Sequence, residues 1–235
     1  MERTDTGERL REVVDGLGLH PVTRTGLDLE DDDSVHRWLV LACLLSGRTD
    51  PDSACRTADI LAGKGLGSIE CIAGTDPSDL TLALTQTRTP RPEAVAVRLV
   101  RVARGVLASG GSLAELAAEC EGTQELGSRL VRLAPGLGAA TVSGFLRPLR
   151  DLWSAAAEIP LHPAARAAAL HLGLIGEGDD VDGEPGALRA ALDAERRAPA
   201  FTDVEWALER LGRRSCARGL TGRCPLGRRC PVRPT

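Results

Sequence analysis

Leu133-Ala134-Pro135-Gly136-Leu137-Gly138-Ala139-Ala140-Thr141-Val142 is the stretch that decides how this chain is read. Helical periodicity runs up to it and away from it. Pro135 stops the first helix, because proline has no N–H and restricts the residue before it. Gly136 and Gly138 let the backbone turn tightly and come close to a neighbour. The second helix then starts with its first N–H groups exposed. Such groups, with the helix dipole behind them, hold phosphate without any charged side chain. A plain helix–turn–helix corner has the same local form. Thr141, just inside the second helix, tilts the reading toward a phosphate-binding hairpin.

Outward from the hairpin the pattern stays helical. Val95, Leu99, Val102 and Val106 form one buried stripe, with Arg98, Arg101 and Arg104 on another face and Pro90 and Pro92 at the helix start. Further helices are expected near 5–16, 34–45, 52–63, 77–85, 112–120, 123–133, 139–156, 163–173, 185–197 and 202–212, with Asp52 and Ser112 as N-caps. Turn signals stand at Gly110-Gly111, across 176–186 and at Pro199. The long 176–186 stretch reads as a loop. No period-two alternation occurs, so the expected class is all-α.

The chain has 235 residues and a formal net charge of −4, and 43% of its residues are hydrophobic. That content suits one globular unit or two small lobes. No apolar run is long enough to span a membrane. The first residues mix acids and bases, unlike a secretory signal, so a reducing cytoplasm is the expected setting. The seven cysteines are then expected as thiols or metal ligands, with Cys43, Cys55, Cys71 and Cys120 as small core residues. Of 29 cationic residues only Lys64 is a lysine. Mechanisms that need several lysines are excluded, and a Schiff base would have to use Lys64 or the terminal amine. The charge is segregated: residues 1–33 carry −6, 34–209 carry −6 and 210–235 carry +8. A local basic patch attracts an anionic partner even in an acidic chain.

The hairpin resembles the helix-hairpin-helix of the endonuclease III superfamily of base-excision DNA glycosylases, usually L-P-G-V-G-x-K-T-A. Three other stretches support the likeness in the same order. Trp38-Leu39-Val40-Leu41-Ala42-Cys43-Leu44-Leu45-Ser46-Gly47-Arg48-Thr49-Asp50 is similar to the early helix ending in L-L-S-x-Q-T-x-D. Leu161-His162-Pro163-Ala164-Ala165-Arg166, continuing to Leu172-Gly173-Leu174-Ile175, resembles V-D-T-H-V-x-R…L-G-L-V. Cys216…Cys224-Pro225-Leu226…Cys230-Pro231 resembles the iron–sulfur loop, spaced C-x6-C-x2-C-x5-C in the family. The likeness spans roughly residues 34 to 230.

The resemblance implies a barrel of helices over 34–150 that ends in the hairpin. A second lobe would be built from 1–33 and 151–235 and carry the cysteine loop. It also implies which residues act. The lyase lysine of the hairpin corresponds to Ala140, which is inert. The family's catalytic aspartate corresponds to His162, which as imidazole would be a general base rather than a fixed negative charge. As a structural residue, His162 would cap the helix starting at Pro163. Arg48 replaces the glutamine that fills the gap left by a flipped base. Cys216, Cys224 and Cys230 match three cluster ligands, while the second is missing near Thr221. That set leaves a 4Fe–4S cluster, zinc or no metal open.

The expected function is binding of double-stranded DNA, damaged or intact, by a monomer, without glycosylase or AP-lyase chemistry. Contacts would come from Arg48, Gly136, Gly138, Ala139 and Thr141, and from Arg213, Arg214, Arg218, Arg223, Arg228 and Arg229. The alternatives are a monofunctional glycosylase that uses His162 to activate water, and a structural relative with no affinity for DNA.

Overall fold

The computed structural model describes residues 6–45, 49–176, 178, 183–195, 198–216 and 224–227. Among them the chain is all-α, with no strand. The helices are α1 (Thr6–Leu17), α2 (Pro21–Thr25), α3 (Asp32–Leu45), α4 (Pro51–Gly63), α5 (Ile69–Gly74), α6 (Pro77–Gln86), α7 (Pro92–Ala108), α8 (Leu113–Ala118), α9 (Thr123–Leu133), α10 (Ala139–Leu146), α11 (Pro163–Leu172), α12 (Glu184–Asp193) and α13 (Phe201–Arg214). No helix of the described residues is long and apolar enough to cross a membrane. The chain divides into two compact units, one of residues 25–159 and one of the segments before and after it. The divisions fall at 24/25 and 159/160 rather than at 33/34 and 150/151. The later one moves because the 3-10 turn Ser154–Ala156 packs on α8 and α9.

In the 25–159 unit, α3 is the centre. Val35, Trp38, Leu39, Leu41, Cys43 and Leu44 are all buried, as expected of a helix apolar on every side. Trp38 Nε1 donates to Phe145 O at 2.9 Å, tying α3 to α10. On α7 the expected stripe is present, with Leu99, Val102 and Val106 buried and Val95 half-buried. Its arginines are employed: Arg98 Nη2 donates to Cys43 O at 2.6 Å and Arg104 Nε to Ala73 O at 2.9 Å. Each places a cation on carbonyls near a helix C-terminus, where the dipole favours it.

Several local expectations need correction. The cap of α4 is Asp50, which accepts from Ser53 N at 3.1 Å, rather than Asp52. Pro51 takes the first helical position and so puts the cap one residue earlier. Ser112 does cap α8. The helix expected over 139–156 stops at Leu146 and continues as 3-10 turns at Arg147–Leu149 and Ser154–Ala156. Pro148 cannot donate and crowds the carbonyl four residues back. Buried Arg150 then holds the fold-back, donating from Nε to Ile159 O at 2.8 Å. Within 176–186, Glu184, Pro185 and Gly186 are helical, in the first turn of α12. The short helices α2 and α5 are too brief to show a period. Cys71 is exposed rather than in the core, because α5 buries Ile69, Ile72 and Ala73 instead. Cys43, Cys55 and Cys120 are buried, and burial pushes the Cys43 thiol up to about 11.

The other unit packs α1, α11, α12 and α13 around Leu10, Val13, Ala165, Ala168, Leu188, Val204 and Leu208. α11 and α13 touch backbone to backbone: a β-carbon on Gly212 would lie 1.9 Å from Ala164 O. His20 N donates to Asp203 Oδ1 at 2.8 Å, joining the segment after α1 to the start of α13. Glu184, fully buried, pairs with Arg166 Nε through one oxygen, while its other oxygen has no hydrogen-bond partner.

Candidate nucleic-acid interface

The hairpin between α9 and α10 is a built turn. Ala134 is buried and extended, as the residue before a proline must be. Leu137 N donates back to Ala134 O at 3.1 Å, and Gly136 has φ 96°. Proline second and a left-handed glycine third make a type II turn, which Gly136 alone of these residues adopts without strain. Leu137 is buried and pins the turn from within. Gly138 is the extended N-cap of α10, and Thr141 N and Val142 N donate to its carbonyl at 3.0 and 3.1 Å.

No side chain caps α10. Gly138, Ala139 and Ala140 are exposed and carry nothing long enough to reach a backbone N–H; Thr141 is half-buried. A β-carbon on Gly138 would meet no atom within 4 Å, and its φ of −81° suits any residue. The protein's own packing therefore does not require glycine there. Support comes from α7 below: a β-carbon on Gly105 would fall 2.0 Å from Leu133 O, and one on Gly136 would lie 4.0 Å from Arg98 Cγ.

His162 lies in the other unit, as the N-cap of α11. Its Nδ1 accepts from Ala164 N at 3.0 Å. A neutral ring accepts at one nitrogen only, and here both nitrogens face an N–H donor. Its Nε2 stands 3.7 Å from Glu209 Oε1 and 2.9 Å from Arg213 Nη2, and Arg213 pairs with Glu209 at 2.7 Å. Whichever nitrogen carries the lone pair a general base would use, it already faces the helix start or Arg213. Arg213 is half exposed and partly neutralised by Glu209; the i, i+4 spacing Glu209…Arg213 is the sequence signal for that pair. Arg214 is exposed.

Cys216 and Cys224 are half-buried against the core of their unit. Beyond Cys224 the chain turns, with Gly227 N donating to Cys224 O at 2.9 Å and Leu226 buried. Among the described residues no three His, Cys, Asp or Glu side chains gather as a metal site. Arg48, Arg218, Arg223, Arg228, Arg229 and Cys230 lie outside the described residues. Lys64 is exposed in the turn that ends α4. No family model matches the chain, and no curated protein matches it.

Proposed function

We propose that this chain binds double-stranded DNA, damaged DNA included, and does so as a monomer in the cytoplasm without releasing bases or cleaving the sugar. The exposed, uncapped start of α10, with open space at Gly138, is the observation that carries the reading. A phosphate fits where backbone N–H groups are exposed and no β-carbon intrudes. The +8 segment from residue 210 supplies cations, with Arg214 exposed and Arg218, Arg223, Arg228 and Arg229 beyond it; Arg48 follows α3. Two features argue against chemistry. Ala140 offers a methyl group where a lyase needs an amine, and both ring nitrogens of His162 face N–H donors, Ala164 N and Arg213 Nη2.

Cys216, Cys224 and Cys230 are thiols, which suit iron–sulfur clusters and zinc. Three thiols fall one short of a closed set, so no part of the proposed binding passes through a metal. Metal analysis and the visible spectrum of anaerobically purified protein distinguish a cluster, zinc and a metal-free loop.

The test is fluorescence anisotropy of labelled duplex with the wild type and Gly138→Glu. The open space at Gly138 allows this change to fold, and its charge should repel phosphate. Weakening of tenfold or more supports the reading; unchanged binding removes the hairpin from it. Base release from a panel of damaged duplexes, abolished by His162→Ala, would establish a glycosylase instead.

A further inference from the structure

Thr87-Arg88-Thr89-Pro90-Arg91 joins α6 to α7. α6 ends in a double closure, with Thr89 N donating to Leu84 O at 3.1 Å and Arg88 N to Thr85 O at 3.0 Å. This closure needs left-handed backbone at the residue where helices usually place glycine. Here that residue is Arg88, with φ 57°. α7 then opens on Arg91, with φ 52° and no side-chain capping bond. Left-handed backbone there favours glycine or asparagine, and a cation at a helix N-terminus opposes the dipole. Arg88 and Arg91 are the only non-glycine residues with positive φ among those described.

Both ends of this connection therefore hold arginine where local stability selects another residue. Departures of this kind collect at functional positions. Nothing within the described residues compensates for them, since both side chains are exposed and neither has a partner there. The connection is nevertheless firm. Thr89 is buried, its hydroxyl lies 2.8 Å from that of Thr87, and Pro90 and Pro92 fix their own φ.

Its position matters too. Arg91, the N-cap of α7, precedes Arg98 by seven residues, about 10 Å along the helix axis. Arg98 is the residue whose Cγ lies beneath Gly136 at the hairpin tip. We propose that Arg88 and Arg91 form a second phosphate clamp on the same duplex, flanking the hairpin. The proposal rests on the DNA-binding reading above. A guanidinium fork matches two phosphate oxygens, and its planar shape loses little freedom on binding.

The experiment measures binding of labelled duplex across a salt series by full-length wild type, Arg88→Gly/Arg91→Asn and Gly138→Glu. The double variant puts glycine and asparagine where left-handed backbone favours them. Its melting temperature should rise by about 2–4 °C, which shows that it folds. Affinity at about 0.1 M salt should fall roughly tenfold. The slope of log K against log salt should shrink by about two. A double variant that binds like wild type, while Gly138→Glu weakens binding, overturns the clamp and leaves the hairpin reading intact. A wild type that fails to bind duplex at low salt overturns both.

Discussion

The α-carbon of Gly105 faces the carbonyl of Leu133 so closely that a methyl group there would sit 2.0 Å from the oxygen. Leu133 is the last residue of α9, so the start of the hairpin rests on a single missing side chain. Gly105→Ala should lose roughly 1–3 kcal/mol by overpacking, despite alanine's better helix propensity. Gly127→Ala, on α9, meets no atom within 4 Å and should gain about 0.5–1 kcal/mol. Urea unfolding of the two variants checks both signs. Equal effects would show that the Gly105 contact is not a steric requirement.

His162 is read here as a cap. His162→Ala should cost about 1 kcal/mol, and His162→Asp should stay near wild type, since aspartate also accepts from the N–H of the second helical residue, Ala164. Loss of stability in the aspartate variant equal to that in alanine would mean that the ring's packing, rather than the cap to Ala164, matters.

The Arg166–Glu184 pair is lopsided, with Glu184 fully buried and Arg166 about one-third exposed. Removing Arg166 strands a buried carboxylate, so Arg166→Ala should cost about 3 kcal/mol or more. Glu184→Ala leaves a cation that can turn to water, and should cost less. Chemical denaturation that ranks the variants the other way would contradict this account.

The hydroxyl and backbone N–H of Ser78 hold the Asp76 carboxyl below its usual value, and the Glu121 N–H and Arg129 do the same for Glu125. A carboxylate with a depressed folded pKa binds fewer protons folded than unfolded. Its contribution is full above the ordinary carboxylate value near ~4 and disappears as pH falls through the folded value. Melting temperature should therefore fall with acid below about pH 4. Asp76→Asn should flatten that fall, as thermal melts across pH 2.5–5 would show; an unchanged slope would separate Asp76 from it.

What the sequence makes legible here is what depends on local chemistry. The α7 stripe and the turn at Pro135-Gly136 follow from periodicity and from the rules of proline and glycine. Misreadings arise where a local pattern continues past its physical end. Phe145, Leu149 and Trp153 keep helical spacing through Pro148, which breaks the helix regardless. Cys71 resembles a core residue until the three other positions of α5 occupy the interior. The cap that His162 makes on the helix at Pro163 is legible locally, whereas its contacts with Glu209 and Arg213, about 50 residues away, have no local signal. The left-handed arginines at 88 and 91 run against what glycine-based turn rules predict.

The unit built by α1 and α13 has a consequence for synthesis on the ribosome. The apolar face of α1, Leu10, Val13, Val14 and Leu17, finds its partners on α13 only after about 180 more residues have been made. At cellular translation rates that wait is on the order of ten to forty seconds. Throughout it the nascent helix exposes a greasy stripe, whereas the 25–159 unit has all of its own chain as soon as residue 159 is made. That interval is where a holding chaperone would act, and where slow codons downstream would do most harm.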